Sequence, residues 1–329
     1  MREIDEILRS LDQARDEAKQ PDEAVLRQVL SVPRPRGARR RSQVTKRKWT
    51  LISAATVATA VALALVVTNM LGVAPQPAYA VTPAPLSYQA SDQSPAAVLE
   101  EIARQVEELP ADTTSGETER FVQESWSLST RIDGIQVTSA VIPERRTTVK
   151  YKDGSEKWTV VTQKPQFQSA KQRDTWDKSG SIGEDPEVYS DSSGPADMSD
   201  ARNHEPPATP EGMRSWLTLG YETAGAGETF DSISERSLDR SFSPEQRVAL
   251  LRTLKDTPGI TYRGRTKDRS ERTGQAFSVQ STYGGLPTKH TLIFNESTGE
   301  VLAYEEELTG DPGALKVRTP AVILYVTYL

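Results

Sequence analysis

The chain has 329 residues, with 40 Lys plus Arg against 46 Asp plus Glu, no cysteine, and a mean hydropathy of −0.55. That length admits one large domain or two ordinary ones, and the missing cysteine excludes a disulfide scaffold. The average conceals an asymmetry: residues 49–91 hold no Asp, Glu, Lys or Arg over 43 positions, residues 1–48 carry 13 basic against 8 acidic side chains, and the remainder carries 27 against 38. A basic head and an acidic body held apart by an uncharged run predict two compartments.

The first predicted element is an amphipathic helix in the tail of residues 1–48. Ile4, Ile7, Leu8, Leu11, Ala14 and Ala18 recur at steps of three and four, with charges between them. A second short pattern, Ala24, Val25, Leu26, Val29 and Leu30, follows Asp22. Helices this small bury too little to be stable alone, so their apolar stripes call for a partner. Ile4, Leu8 and Leu11 are the candidate partner-binding residues, by the helix-in-groove mode; the competing reading lays the tail on the membrane surface or leaves it without structure.

Residues 49–73 read WTLISAATVATAVALALVVTNMLGV, whose only polar members are Thr, Ser, Asn and Gly. A helix of about 20 such residues spans the hydrocarbon core of a bilayer. Arg34, Arg36, Arg39, Arg40, Arg41, Lys46, Arg47 and Lys48 precede it with no acidic residue after Ala24. The positive-inside bias then predicts a single-pass protein of the cell membrane, N-terminus cytoplasmic and C-terminal domain extracytoplasmic. The competing reading is a secretory signal peptide cleaved after Ala80, since Ala78-Tyr79-Ala80 has the small-x-small form; the long apolar stretch and the 48-residue n-region stand against it. The basic run is read as a topology signal rather than a nucleic-acid site, because no aromatic residue interleaves it.

Residues 74–91, with Pro75, Pro77, Pro83 and Pro85, predict an extended stem, and residues 92–329 an α+β domain. Three helices are predicted, each from a cap and a proline in the first turn: after Ser94-Pro95, after Thr209-Pro210 and after Ser243-Pro244, the last with Gln246 placed for a capping box. Eight to ten antiparallel strands follow from period-two runs, among them segments around 121–132, 135–141, 147–151, 158–162, 260–265, 275–282, 290–294, 301–306 and 322–329. The expected architecture is a strongly curved antiparallel sheet, in the limit a half-barrel, with helices on its concave side. Residues 163–210, rich in Ser, Asp, Gly and Pro, predict a flexible surface excursion, in which Trp176 and Tyr189 either pin it to the domain, the commoner use, or form part of a binding face.

Chemistry is sparse. The two histidines, His204 in the excursion and His290 at the start of a strand, are both read as surface positions, and neither offers a metal set. No G-x-S-x-G elbow, no phosphate-binding glycine loop and no regular calcium loop occurs, so no catalytic residue, cofactor or metal is assigned and the reading is non-enzymatic. An exported hydrolase built from a dispersed Ser, His and acid is the remaining enzyme hypothesis.

Five segments carry a resemblance: LRSLDQAR at 8–15, AYAVTPAPLSY at 78–88, SPEQRVALLRTLKDTPGI at 243–260, YGGLPTKHTLIFNESTGEVLAYEEEL at 283–308 and VRTPAVILYVTYL at 317–329. They resemble a family of actinobacterial single-pass membrane proteins of unknown function, often encoded beside extracytoplasmic-function sigma factors. The resemblance implies envelope signalling with an anti-sigma-like topology and brings no catalytic residues. The tail lacks the His and Cys-x-x-Cys of zinc-binding anti-sigma modules, so a sigma factor would have to dock on a short helix. The sheet with helices is also similar in architecture to periplasmic lipoprotein-carrier and sigma-regulator half-barrels. The expected function is a membrane-anchored, non-enzymatic regulator or sensor of the envelope, its partners the lipid bilayer and a cytoplasmic sigma factor. The alternative is a tethered carrier of an envelope lipid or peptide.

Overall fold

In the computed structural model, which describes residues 82–111, 118–133, 136–165, 167, 170–178, 186–219, 225–313, 315 and 317–329, the alternating segments become nine strands. These are β1 Thr118–Asp133, β2 Gln136–Tyr151, β3 Glu156–Thr162, β4 Val188–Ser193, β5 Thr261–Lys267, β6 Thr273–Ser281, β7 Thr288–Phe294, β8 Val301–Leu308 and β9 Ala321–Tyr328. They form one open antiparallel sheet in the order β4-β3-β2-β1-β9-β8-β7-β6-β5. Two meanders, β1 to β4 and β5 to β9, meet where the last strand lies beside the first, from Gln123↔Tyr328 to Ser127↔Leu324. The sequence divides residues 135–151 into two strands; β2 instead runs unbroken through Pro143 and pairs with β1 along its whole length.

The described residues hold five α-helices where three are expected: α1 Pro95–Glu107, α2 Ala170–Lys178, α3 Pro210–Leu217, α4 Ala226–Arg236 and α5 Pro244–Lys255. The three capped ones form as their sequences dictate, with Ser94 accepting from Ala97 N, Thr209 from Gly212 N, and Ser243 and Gln246 completing a capping box. The fourth helix starts at Gly225 without a side-chain cap. Tertiary bonds hold it: Ser232 Oγ donates to Leu217 O at 2.7 Å and Tyr328 Oη to Ser234 O at 2.9 Å. The excursion also differs from expectation, since residues 163–210 contain α2, β4 and a short 3₁₀ turn, Ala201–Asn203. Trp176 is 1% exposed, with the Phe167 ring of the same segment 6.1 Å away. Tyr189 sits within β4 opposite Val160.

Side-chain parity sorts the sheet into two faces. Phe277, Val279, Leu292, Phe294 and Tyr304 pack against α1, α3, α4 and α5 through Leu99, Trp216, Phe230, Ile233, Leu250 and Leu251. Each such fully buried side chain is worth about 1.5–3 kcal/mol of transfer free energy, which makes this layer the main source of stability. On the opposite face Ala276, Ile293, Ala303, Tyr325 and Trp126 form a second cluster, closed over by Leu86 and Tyr88 of the stem.

The stem is therefore part of the fold from residue 82 onward. Gln89 N donates to Arg265 O at 2.8 Å, Thr266 Oγ1 to Ser87 O at 2.7 Å and Arg269 Nη2 to Ala84 O at 2.9 Å. Gly264 permits this approach: its φ is +100°, and a Cβ there would lie 1.8 Å from Gln89 O. Among the described residues no helix is long and apolar enough to cross a membrane. The expected membrane helix at 49–73, the tail helices, the cleavage site at Ala78-Tyr79-Ala80 and the start of the stem lie outside the described residues.

Candidate functional site

The first turn of α4 and the end of β6 define a cleft. β5 pairs with β6 only as far as Thr261↔Ser278, so Val279 to Ser281 pair with β7 alone and leave one backbone edge open. The cleft there has a volume of about 720 Å³, and Gly227, Glu228, Gly259, Gln280, Ser281 and Tyr283 are among the residues lining it. Gly227 is what lets the helix approach, since a Cβ on it would fall 2.5 Å from Ser281 Cβ. A Cβ on Gly225 would fall 2.7 Å from Glu228 Oε2, so the Glu228 side chain folds back over the helix start. It places a negative charge at the positive end of the helix dipole and occupies the position an anion would take.

Beneath the cleft, between α4 and the sheet, lies a layer of titratable groups. Tyr304 Oη donates to Glu306 Oε1 at 2.9 Å and lies 2.7 Å from His290 Nδ1. With its own proton given to Glu306, the phenol oxygen accepts from Nδ1–H, which assigns a neutral imidazole with a bare Nε2; that Nε2 has no hydrogen-bond partner. Tyr283 Oη donates to Asp231 Oδ2 on α4 at 2.6 Å, and its ring stands 6.3 Å from that of His290. Burial pushes the His290 imidazole down to about 4. Burial first, and then the negative charge of Asp231, push the Glu306 carboxyl up to about 7, against the opposing hydrogen bond from Tyr304.

A related arrangement lies beyond the other end of α4. Lys150 Nζ donates to Asp239 O at 3.1 Å and lies 3.6 Å from Glu156 Oε1. Burial and the Asp239 charge raise the Glu156 carboxyl to about 7. The segment from α4 to Asp239 thus meets the sheet at two places where one carboxylate faces another.

The opposite face of the sheet carries two buried ion pairs under the stem, Arg269 with Glu305 at 2.6 Å and Lys289 with Glu307 at 2.8 Å. Arg263 stacks over the Tyr88 ring at 5.2 Å. Burial, reinforced by the Glu305 charge, moves the Tyr88 phenol up to about 12. These pairs have one partner each in place, so their removal singly would strand a charge in a dry layer.

The candidate partner-binding residues Ile4, Leu8 and Leu11 lie outside the described residues. His204 is exposed as the sequence suggests, its Nε2 2.9 Å from Met198 O. His290 is not a surface position: it is 2% exposed. Its parity with Leu292 and Phe294, two and four residues on, carried that information, because all three fall on the face that the helices cover. Asp197 and Asp200 accept hydrogen bonds from neighbours two residues on and shape local turns. Among the described residues no grouping of three or more His, Asp or Glu could hold a metal ion. Ser281 Oγ, in the cleft wall, accepts from Tyr283 N at 3.1 Å. Compared with models of known protein families, with curated proteins and with solved structures, the chain matches none.

Proposed function

We propose that this protein is a membrane-anchored, non-enzymatic regulator or sensor of the cell envelope with an anti-sigma-like topology. Residues 49–73 form its single membrane-spanning helix, the α+β domain lies outside the cytoplasm, and its sheet curves toward a half-barrel. The observation that carries this reading is the charge pattern of the chain: a basic tail and an acidic domain on either side of 43 uncharged residues. The interior of the domain supports a regulator over a lipid carrier. Phe230, Ile233, Leu250, Leu251, Phe277 and Phe294 fill the space between helices and sheet, where a carrier would keep a pocket.

The cytoplasmic helix around Ile4, Leu8 and Leu11 docks a sigma factor or a similar protein by burying its apolar stripe. The test is co-purification of the full-length chain with the sigma factor encoded nearest to it. Recovery with the wild-type chain and loss with Leu8→Asp or Leu11→Asp is expected; no recovery with the wild type refutes the docking role. A second reading, a tethered peptide-binding module, is favoured by one observation, the open backbone edge of Val279 to Ser281 inside the cleft. An extended peptide adds to such an edge by main-chain hydrogen bonds.

A further inference from the structure

The fold protects one edge of its sheet and leaves the other bare. At β5 the stem bonds to the edge through Gln89, a bulge interrupts the register between Tyr262 and Gly264, and Arg263, Arg265 and Lys267 add charge. These are devices that keep an edge from pairing with another chain. β4 has no covering segment among the described residues and no bulge, and its one charged residue is Asp191. All six of its residues are exposed, it contains no Lys, Arg or Pro, and it presents Val188 at 69% and Tyr189 at 43% exposure.

The register tells which backbone groups of β4 are free. Thr162 N donates to Glu187 O at 2.9 Å, and Glu187 N returns a bond to Thr162 Oγ1 at 2.9 Å, so this pair sits at a hydrogen-bonded position of the ladder, and by alternation so do Val160↔Tyr189 and Trp158↔Asp191. The N–H and C=O groups of Val188 and Ser190 and the C=O of Ser192 therefore point away from β3 and meet no strand among the described residues, while Ser192 N donates to Asp191 Oδ1 at 2.8 Å.

We propose that β4 pairs antiparallel with β4 of a second copy of this chain, with Ser190 on the two-fold axis, joining two sheets edge to edge. In this register Val188 meets Ser192 and Ser190 meets itself: the two Ser190 residues exchange both backbone bonds and each Val188 N–H donates to Ser192 O of the second copy, about four bonds in total, while Ser192 N–H stays with Asp191. Each Tyr189 stands opposite Asp191 of the second copy on one face, where phenol and carboxylate are complementary, and each Glu187 stands opposite Ser193. The neighbouring registers fail on charge. Centring on Asp191 sets two carboxylates face to face, and centring on Tyr189 sets Asp191 against Glu187. Like charges directly opposite each other destabilise a strand pair. The occupant that fits β4 by hydrogen bonding, face and charge is thus β4 itself, in an isologous contact.

The chain has no cysteine, so a single introduced thiol reports the contact in the full-length protein. Paired strands put opposite Cα atoms about 4.5–5.5 Å apart, within the range a disulfide spans. Under mild oxidation Ser190→Cys is expected to give a covalent dimer as the main product. Val188→Cys is expected to cross-link with Ser192→Cys in a mixture at least tenfold better than with itself. Thr159→Cys, on the interior strand β3, is expected to stay monomeric. Adding Val188→Pro to Ser190→Cys removes an outward N–H at the first residue of β4 and is expected to cut the dimer yield at least tenfold with the circular dichroism spectrum unchanged. A monomeric Ser190→Cys protein, or equal cross-linking at Thr159→Cys, overturns the proposal.

Discussion

The two halves of the sheet have the same alternating backbone but different surroundings. Every residue of β7 is buried, with helices on one face and ion pairs and stem on the other, whereas every residue of β4 is exposed. Strand order alone therefore says little about where stability resides, which depends on what covers each face. The half from β5 to β9 is the anchor of the fold, and the half from β1 to β4 is the thinner layer that presents surface.

The sharpest way to break this contrast is to truncate an apolar side chain in each half. Phe277→Ala empties a fully buried site packed against Tyr262 and Phe294, whose rings lie 5.2 and 6.0 Å away, and is expected to cost about 3–5 kcal/mol. Val161→Ala on β3, at a position more than one-third exposed, is expected to change stability by less than about 0.5 kcal/mol. Urea denaturation of both variants measures the difference; comparable losses would show that the two halves share one core.

The same contrast explains what the sequence revealed. β6 to β9 were legible because runs of strand-forming residues and the Asn295 to Gly299 hairpin loop mark them, and α5 because Ser243 and Gln246 write a capping box into the chain. The α4 helix was not legible, because Gly225 offers no cap and its buried face includes Thr229, Ser232 and Ser234, residues that read as loop until Leu217 and Tyr328 supply their partners. The β4 strand was hidden for the opposite reason: a strand exposed at every position has no alternation to detect, and its order comes from β3. The closure of the sheet by β1 and β9, and the run of the stem over β5, join residues far apart in sequence and leave no local signal. Of the buried titratable layer, only the parity of His290 was readable; the helix that buries it had no local signature.

A change of intermediate size separates the stem from the half it covers. Gly264→Ala puts a methyl group where Gln89 O now sits, at a φ that disfavours any side chain, and is expected to cost about 2 kcal/mol. Hydrogen exchange would place the effect. Increased exchange confined to residues 84–90 and β5 is expected, with the amides of β1 to β3 unchanged. Exchange spread evenly over the sheet would mean that the stem supports both halves.

The smallest expected effect is a pH dependence that belongs to the contact between the α4 segment and the sheet. Glu306 and Glu156 have ordinary values of 4.5 and are raised to about 7 in the fold, so between these limits the folded chain holds protons that the unfolded chain has released. Stability from these two groups therefore grows as pH falls from about 7 toward 4.5 and is lost as pH rises through 7. His290 opposes them, because its value falls from 6.5 to about 4 and the unfolded chain takes up the proton first on acidification. Glu100, held down to about 2 by hydrogen bonds from Arg252 and Lys255, adds a loss below its ordinary value of 4.5. Two carboxyls outweigh one imidazole above that point, so maximal stability is expected between about pH 4.5 and 5, with a decline on the order of 1 kcal/mol toward pH 8 after allowance for solvent screening. Glu306→Gln keeps the acceptor for Tyr304, removes the repulsion with Asp231 and is expected to flatten the decline. Denaturation midpoints at pH 6 and 8 for the two proteins decide it: an equal decline in both would place the proton uptake outside the α4 contact, at groups spread over the acidic surface.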